Sequence, residues 1–506
     1  MNSWNNESLK AIITFDNDMQ YEVYMGDMAS NDKYIKSLST DENESNVSGN
    51  PLGIITSNSL TLSIFDIDNK LTPTNRNSPY YGYMRNGVKI ELFISYDNSL
   101  FETFGTYYVT NWATGWSGGL QDVANITAKD RIQYINNLDV PKLPAYSGIK
   151  VQELLVNLFI ELDKATTNNS KGTIIKGSST PSDSIGVNDD YFVNEENYEI
   201  YRKIDRHWVL RYHIDNRLNL DMVYGITVGS KYREALNSIA QALIARVILD
   251  RDDVIRIVPA LESYGCVYEL ESGLLMDINS YHNSNNIYSK ARVNYCQLGE
   301  NCVDTILNNY GIKVSKGSNT LNGLRFNGKT LDIEDVYFES DLDIDISDIK
   351  YNGYQDGVDI TFISNKDGVV NLVVEGRLIN STEASEESDV EESDTKVGNI
   401  LTIKSDIIQD QQEAKRLADS ISVYLKNTNK LLQFKTLLTP KVTLGDIIQV
   451  NSDNEDIKGT YKVLNSNTVF GVDYTKNITV MRISDQIVFN DDGIWRDSDD
   501  NGLWVE

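Results

Sequence analysis

The sequence predicts a mainly β chain with inserted α/β parts, an α+β architecture spread over several domains. Three observations carry this. Apolar residues alternate with polar ones at Leu60, Leu62 and Ile64 and again at Val88, Ile90, Leu92 and Ile94, and a period of two places successive side chains on opposite faces of a sheet. Clear helical spacing is confined to a few stretches, near residues 151–159, 236–247 and 414–425. Between the alternating runs lie clusters of Asp, Asn, Gly and Pro, the residues of tight turns.

In order, residues 1 to about 140 read as β. Ile12-Ile13-Thr14-Phe15 opens, and Ser37 to Asn50 reads as an acidic polar loop with Asp41, Glu42 and Glu44. Strands are expected at Leu60–Asp66, Gly87–Ile94 and Gly105–Val109, with turns at Asp68-Asn69-Lys70 and Ser78-Pro79-Tyr80-Tyr81-Gly82. Val123 to Arg131 closes the unit. Pro141 and Pro144 mark a boundary, since proline cannot donate to a ladder. A helix follows from near Lys150, with Val151, Leu154, Leu155, Leu158 and Phe159 on one stripe. Residues 165 to 195 read as a long exposed loop, and Tyr198 to Tyr212, with Trp208, as containing a strand. A second helix is expected from Lys231 to Leu249. Asp250-Arg251-Asp252-Asp253 then turns the chain into a strand at Val254–Val258, which Pro259 ends.

Residues 280 to about 380 read as β again. Tyr351 to Gly357 is a turn and Val358 to Ile363 a strand. Asn365-Lys366-Asp367-Gly368 reads as a hairpin turn, because Asp-Gly supplies positive φ at little cost, and Val369 to Glu375 should pair back. Thr382 to Asp394 holds seven acidic residues and reads as a loop disordered by self-repulsion. Asp410 and Glu413 form a capping-box pattern ahead of a helical stripe at Ala414, Leu417, Ala418, Ile421, Tyr424 and Leu425. Strands are expected at Leu431–Leu438, Leu444–Val450 and Gly459–Val463. Asp491 to Glu506 is an acidic tail carrying Trp495 and Trp504.

At 506 residues the chain has room for roughly three to four domains of about 150 residues, each able to bury its own core. Lys and Arg number 46 against 74 Asp and Glu, a net charge of −28. Such a surface repels nucleic-acid backbones and anionic membranes. Solubility is the plain reading of that charge. Cys266, Cys296 and Cys302 are too few for a disulfide framework, and synthesis in a reducing compartment is expected. No basic stretch followed by an apolar run suggests a signal peptide. No apolar run approaches the ~18 residues of a membrane span.

The sequence nominates no catalytic, cofactor-binding or metal-ligating residue. His207, His213 and His282 are the only histidines, and a zinc site needs three or four ligands at supporting spacing. Asp341, Asp343 and Asp345 alternate along an extended run. Asp491, Asp492, Asp497, Asp499 and Asp500 cluster at the end. Neither group matches a calcium-binding helix–loop–helix, and a solvated face is the default for both. No nucleophile elbow, zinc-protease motif or phosphate loop is present. No basic stripe interleaved with aromatics marks a nucleic-acid reader. No enzymatic activity and no cofactor are expected.

Three passages carry a family resemblance. The first is the strand Leu60–Asp66, then Asp68-Asn69-Lys70-Leu71-Thr72-Pro73, then Ser78-Pro79-Tyr80-Tyr81-Gly82, then the strand from Gly87. The second is the Arg233-to-Ile257 passage, a helix followed by Asp250-Arg251-Asp252-Asp253 and a short strand, with Asp253 where glycine is usual. The third is the helix beginning Gln412-Glu413-Ala414, followed by a strand, Leu444-Gly445-Asp446 and further strands. In this order they resemble bacteriophage tail (baseplate) hub and tail-tip minor tail proteins. The resemblance covers about 1–140, 230–260 and 400–480.

The resemblance implies two β-barrel-like tube domains per chain, built from strands near 60–130 and 430–485, and a homotrimer whose six such domains form a pseudo-hexameric ring. The ring adapts a six-fold tail tube to a three-fold spike or fibre and provides the channel for DNA ejection. Implied partners are the tail tube or distal tail ring, the tape-measure protein, a spike, fibre or receptor-binding protein, and viral DNA passing without specific binding. The implied location is the virion tail, after synthesis in the bacterial host cytoplasm. The expected division is 1–140 (first barrel-like domain), 141–300 (α/β), 301–400 (β-rich, with the acidic loop), 401–490 (leading helix and second barrel-like domain) and 491–506 (tail). Two other readings stay open. One is a receptor- or glycan-binding tail protein, for which 29 Tyr and 6 Trp supply stacking surface. The other is a tail-associated cell-wall hydrolase using paired carboxylates.

Overall fold

The computed structural model describes residues 8–26, 34–43, 55, 57–66, 68–95, 100–117, 121–136, 138–141, 147–167, 172–218, 220, 223–224, 231–260, 267–271, 275–281, 288–299, 302–340, 344–390, 399–427, 431–437, 441–451, 457–471, 475–484, 487–489 and 495–497.

The first part is β1 (Ser8–Thr14), β2 (Gln20–Met25), β3 (Ile35–Asn43), β4 (Ser59–Phe65), β5 (Lys89–Ser95), β6 (Glu102–Ser117) and β7 (Gln121–Lys129). They lie side by side as β3-β4-β7-β6-β5-β1-β2. Alternation explains the packing: Leu60, Leu62, Ile64, Ile90 and Leu92 share one core with Ile13, Val23 and Tyr107. The turn after β4 forms as its residues dictate. Asp66 accepts hydrogen bonds from the Leu71 amide (3.0 Å) and the Thr72 hydroxyl (3.1 Å), and Asn69 takes the left-handed backbone (φ 53°) that asparagine tolerates. The acidic loop expected from Ser37 is instead strand as far as Asn43. β3 is held on both sides by ladders, and its carboxylates meet partners described below; residues 44–50 lie outside the described set.

The middle part is α1 (Ile132–Ile135), β8 (Ser147–Ile149), α2 (Val151–Thr167), β9 (Ile174–Gly177), β10 (Tyr191–Asn194), β11 (Glu199–Ile204), β12 (His207–Ile214), β13 (Val223–Tyr224), α3 (Tyr232–Ala242), β14 (Ala245–Leu249) and β15 (Ile255–Pro259). A mixed six-stranded sheet, β14-β15-β12-β11-β10-β9, packs on α2, where Phe159 stacks on Tyr212 at 4.6 Å. Two expectations are corrected. The stretch 165–195 is not all loop: it finishes α2 and then contributes β9 and β10. The second helix does not reach Leu249. It ends at Ala242, Ile244 turns left-handed (φ 48°), and the β-branched run Val247-Ile248 pairs with β15 in a fully buried strand. Asp253 fills its turn with φ 62°, the conformation glycine would supply.

Next come β16 (Val267–Glu271), β17 (Leu275–Tyr281), β18 (Tyr288–Leu298), β19 (Val303–Val314), β20 (Gly317–Arg325), β21 (Thr330–Glu339), β22 (Ile346–Gly353), β23 (Gly357–Ser364), β24 (Gly368–Leu378), β25 (Ser381–Asp389) and β26 (Asn399–Ser405). β19-β24-β21 and β20-β23-β22 are two three-stranded sheets around a core that includes Phe362 and Leu372. This sandwich is inserted between β18 and β25, which pair with each other. The segment Asn365–Gly368 is therefore no hairpin. It carries the chain from β23 in one sheet to β24 in the other, because both strands have a buried apolar face to cover. The acidic segment from Thr382 is also corrected: through Asp389 it is β25. Lys290 and Arg292 on β18 pair with Glu387, and Lys404 on β26 with Glu383, so the self-repulsion is neutralised across the ladder.

The last part is α4 (Gln411–Asn427), β27 (Leu431–Leu437), β28 (Ile447–Asn451), β29 (Gly459–Phe470), β30 (Thr475–Ser484), β31 (Ile487–Phe489) and β32 (Trp495–Asp497). Asp410 caps α4 by accepting from the Gln412 and Glu413 amides (2.8 and 3.1 Å), while Glu413 turns to Arg416. The whole predicted stripe of α4 is buried. β27, β28, β29 and β30, with β16 and β17, join the first part in one thirteen-stranded sheet through β29 and β3. Two β-barrel-like domains were expected. Among the described residues neither run closes, and only a single bridge, Tyr24 to Tyr34, links the ends of the first. Of the C-terminal tail, residues 491–494 and 498–506 lie outside the described set.

Candidate assembly interface

The two halves of the large sheet are copies of one five-stranded unit. β3, β4, β5, β6 and β7 correspond to β17, β27, β28, β29 and β30. Gly105-Thr106-Tyr107-Tyr108-Val109 in β6 matches Gly459-Thr460-Tyr461-Lys462-Val463 in β29. The registers match too: Leu92 faces Gly105 and Ile90 faces Tyr107, as Val450 faces Gly459 and Ile448 faces Tyr461. Gly105 and Gly459 share an unusual φ, 157° and 154°. The entry turns match, with Gly87 N donating to Val109 O (2.8 Å) as Gly445 N does to Val463 O (3.0 Å). Even the bulges coincide, between Val109 and Asn111 and between Val463 and Asn465, and between Ile35 and Ser37 and between Leu275 and Asp277.

The units meet where β29 outruns β28. Beyond Val463 its free edge pairs antiparallel with β3, from Asn465 opposite Asn43 to Phe470 opposite Leu38. Phe470 belongs to the first unit's core, edge-on to Phe104 at 5.7 Å. The Asn465 amide donates to Asp41 at 3.1 Å and to Asn43. Glu42 is 3 % exposed and takes two hydrogen bonds from Arg251, from Nε and Nη2, each 3.2 Å. The Arg251 guanidinium lies 4.4 Å from the centre of the Phe104 ring, a favourable cation–π geometry. Arg251 sits in the β14–β15 turn, so the middle part locks the joint between the two units.

Other buried charges surround this lock. Lys476 donates to the Val442 carbonyl. Burial, then the neighbouring Arg251, push its ammonium down to about 7, against the opposing pull of Glu42 and Asp446. Asp130 accepts from Ser57 Oγ (2.6 Å), Asn58 N (2.7 Å) and Ile132 N (3.1 Å), yet burial pushes its carboxyl up to about 7. A small cleft here is lined by Glu42, Asn58, Phe104, Asp130, Arg251 and Thr443 among others. Nearby, Arg131, Arg202 and Arg211 converge on the fully buried Asp163 at 4.0, 3.4 and 3.6 Å. Tyr191 and Tyr212 also donate to it, each at 3.1 Å. Arg211 reaches Asp253 at 3.0 Å. Side chains from four separate segments are pinned to one carboxylate. These charges tie the segments together by compensating one another.

Among the described residues, those weighed from sequence are not brought together. His207 is exposed beside Asp183 (2.8 Å). His213 lies by Arg256 (3.1 Å), where burial and that cation hold it below its usual value. His282, Cys266, Asp341 and Asp343 lie outside the described set; Cys296 and Cys302 are free thiols. Among the described residues no group of three or more His, Cys, Asp or Glu is placed to hold a metal, and no helix is long and apolar enough to cross a membrane. Sequence reading missed the joint. Its signal was the repeated Gly-Thr-Tyr-x-Val pentapeptide, each copy preceded by a glycine-led strand.

No protein-family model matches the sequence, and no curated protein matches it. Among solved structures the chain is similar to a tail protein from Neisseria meningitidis MC58 (TM-score 0.45, 8% identity, covering 94% of this chain and 96% of that one). It is similar to the 43 kDa tail protein of prophage MuSo2 from Shewanella oneidensis (0.46, 8%, 94% and 98%). It is also similar to a prophage tail protein from Listeria monocytogenes EGD-e (0.41, 9%, 93% and 94%).

Proposed function

We propose that this chain is a structural hub of a phage tail tip or baseplate. Three copies form a ring of six repeated sheet units that adapts a six-fold tail tube to a three-fold spike or fibre. The duplication carries the reading. One chain holds two units of the same strand order, register and bulges, joined edge to edge by a β ladder, so three chains present six near-equivalent positions. The resemblance of the three sequence passages to hub proteins supports the same assignment. The net charge of −28 suits a wall past which DNA slides, since lysine and arginine would grip its phosphates. In this reading the protein resides in the virion tail, meets the tube, the tape-measure protein and a spike or fibre, and is not an enzyme.

Light scattering of the purified protein together with negative-stain imaging tests this. A trimer with a central hole is the expected result. A persistent monomer at high concentration that also fails to enter assembled tails overturns it. A second reading has one observation in its favour. The sandwich inserted between β18 and β25 presents Tyr310, 69 % exposed, its hydroxyl held by Asn308 at 2.7 Å, an arrangement suited to stacking on a sugar. Glycan-array binding lost on Tyr310→Ala would establish a receptor-binding appendage on the hub.

A further inference from the structure

We infer that the free edge of β6 beyond Val109 in one copy pairs antiparallel with the outer edge of β17 in the next, repeating between chains the ladder that joins β29 to β3 within the chain. The inference rests on the proposal that copies assemble around a ring, and it names the surface that joins them.

The duplication supplies the geometry. β29 is covered by β28 only as far as Lys462, and its remaining edge is taken by β3. β6 is covered by β5 only as far as Tyr108. Its distal half pairs with β7 alone among the described residues. β3 pairs on one side with β4 and on the other with β29. Its counterpart β17 pairs with β27 and, among the described residues, ends the sheet. Among the described residues each chain therefore carries one filled joint and the two unfilled halves of a second.

Side chains agree with an edge awaiting cover. Thr468, inside the filled joint, is buried, while its counterpart Thr114 is exposed. Leu38 in β3 is 1 % exposed, while its counterpart Ile278 in β17 is 37 % exposed, beside Met276. A long edge with exposed apolar residues invites pairing with another chain. The two half-sites differ, so the contact is head-to-tail, and such contacts build rings when the rotation closes. Transferring the register of the filled joint places Thr114 opposite Ser280, Gly115 opposite Asn279, and Trp116 opposite Ile278.

Disulfide trapping reads this register directly. Directly opposed residues of an antiparallel pair have Cα atoms about 4.5–5.5 Å apart, inside the range a disulfide spans. In full-length protein with Cys266, Cys296 and Cys302 changed to serine, Gly115→Cys is mixed with Asn279→Cys under mild oxidation. Gly115 accepts a β-carbon, the nearest atom being Asn125 Nδ2 at 3.6 Å. The expected result is a reducible band at twice the chain mass, absent when Asn279→Cys is replaced by Asp277→Cys, two residues out of register. The doubly substituted chain should give a ladder ending in a closed species. A protein that forms trimers yet yields no in-register band overturns the joint and leaves the hub reading standing. A protein that stays monomeric and yields no band at high concentration overturns both. Equal trapping at Asp277 and Asn279 overturns the register.

Discussion

Replacing Arg251 with methionine should loosen the joint between the two sheet units without disturbing either core. The side chain reaches Glu42 through two 3.2 Å hydrogen bonds and covers the Phe104 ring at 4.4 Å. Methionine keeps an apolar contact with the ring but strands Glu42, which has 3 % of its surface in water. Removing one partner of a buried ion pair costs about 3–5 kcal/mol, most of it the penalty on the charge left behind. Arg251 is also the main neighbour holding the Lys476 ammonium down after burial itself. Its loss eases that cation, so about 3 kcal/mol, the lower end of that range, is expected at pH 7. A chain of several units need not unfold in one step. Native-state hydrogen exchange of the β29 amides that pair with β3 is therefore the assay, with guanidinium unfolding beside it. The double variant Arg251→Met with Glu42→Gln should recover most of the loss, since no charge is then stranded. Single-variant protection within about 1 kcal/mol of the parent, the usual size of an exposed pair, would refute the lock. So would a double variant as weak as the single.

Three further outcomes follow from the same geometry. The Lys476 ammonium is held down to about 7 from 10.5, so the folded state binds fewer protons than the unfolded state between those values. Stability should rise with pH across that window, by up to about 1.4 kcal/mol per unit, and Lys476→Met should remove that rise; equal slopes for the two proteins would count against it. Asp163→Ala leaves Arg131, Arg202 and Arg211 facing one another without their shared carboxylate, and should cost at least about 3 kcal/mol, read as lost exchange protection in α2 and β12. Gly105→Ala brings a methyl to 2.8 Å from Tyr107 Cε2 and should destabilise the first unit by about 1–3 kcal/mol, measured by thermal melting against a Gly115→Ala control.

The strands flanking Asp66, and in the last unit β27, β28 and the start of β29, were legible from their apolar spacing and from turns that carry Asn69 and Gly445. β3 and β25 were not, and for one reason. Asp41, Glu42, Glu383 and Glu387 look like solvent-seeking residues until the side chains opposite them are known: Asn465 for Asp41, and for the other three cations brought from as far as 209 residues away. Arg251, Arg292 and Lys404 come from other segments, so no local pattern announces them. The end of α3 failed differently. Leu243, Ile244 and Val247 continue the helical stripe, but β15 offers Val247 and Ile248 a ladder, and tertiary pairing overrides periodicity. The joint was hidden by distance: the two copies of Gly-Thr-Tyr-x-Val are far apart in sequence, and the second unit takes its first strand, β17, from before the inserted sandwich.

The duplicated units diverge at their edges, and the divergence separates two kinds of joint. The filled one is fastened by side chains: Arg251 from a third element on Glu42, and from β29 itself Asn465 on Asp41 and Phe470 pressed into the neighbouring core against Phe104. It forms as the chain folds, since all partners share one molecule and their effective concentration is high. Among the described residues, no turn of the middle part reaches the distal half of β6 as the β14–β15 turn reaches β3. There Thr114 and Ala113 face water, and on β17 so do Met276 and Ile278. A ladder between copies must then be held by backbone hydrogen bonds and modest apolar cover, the weaker set, and must depend on concentration or on a template. In the proposed assembly one joint is made by folding and its twin stays open until copies meet.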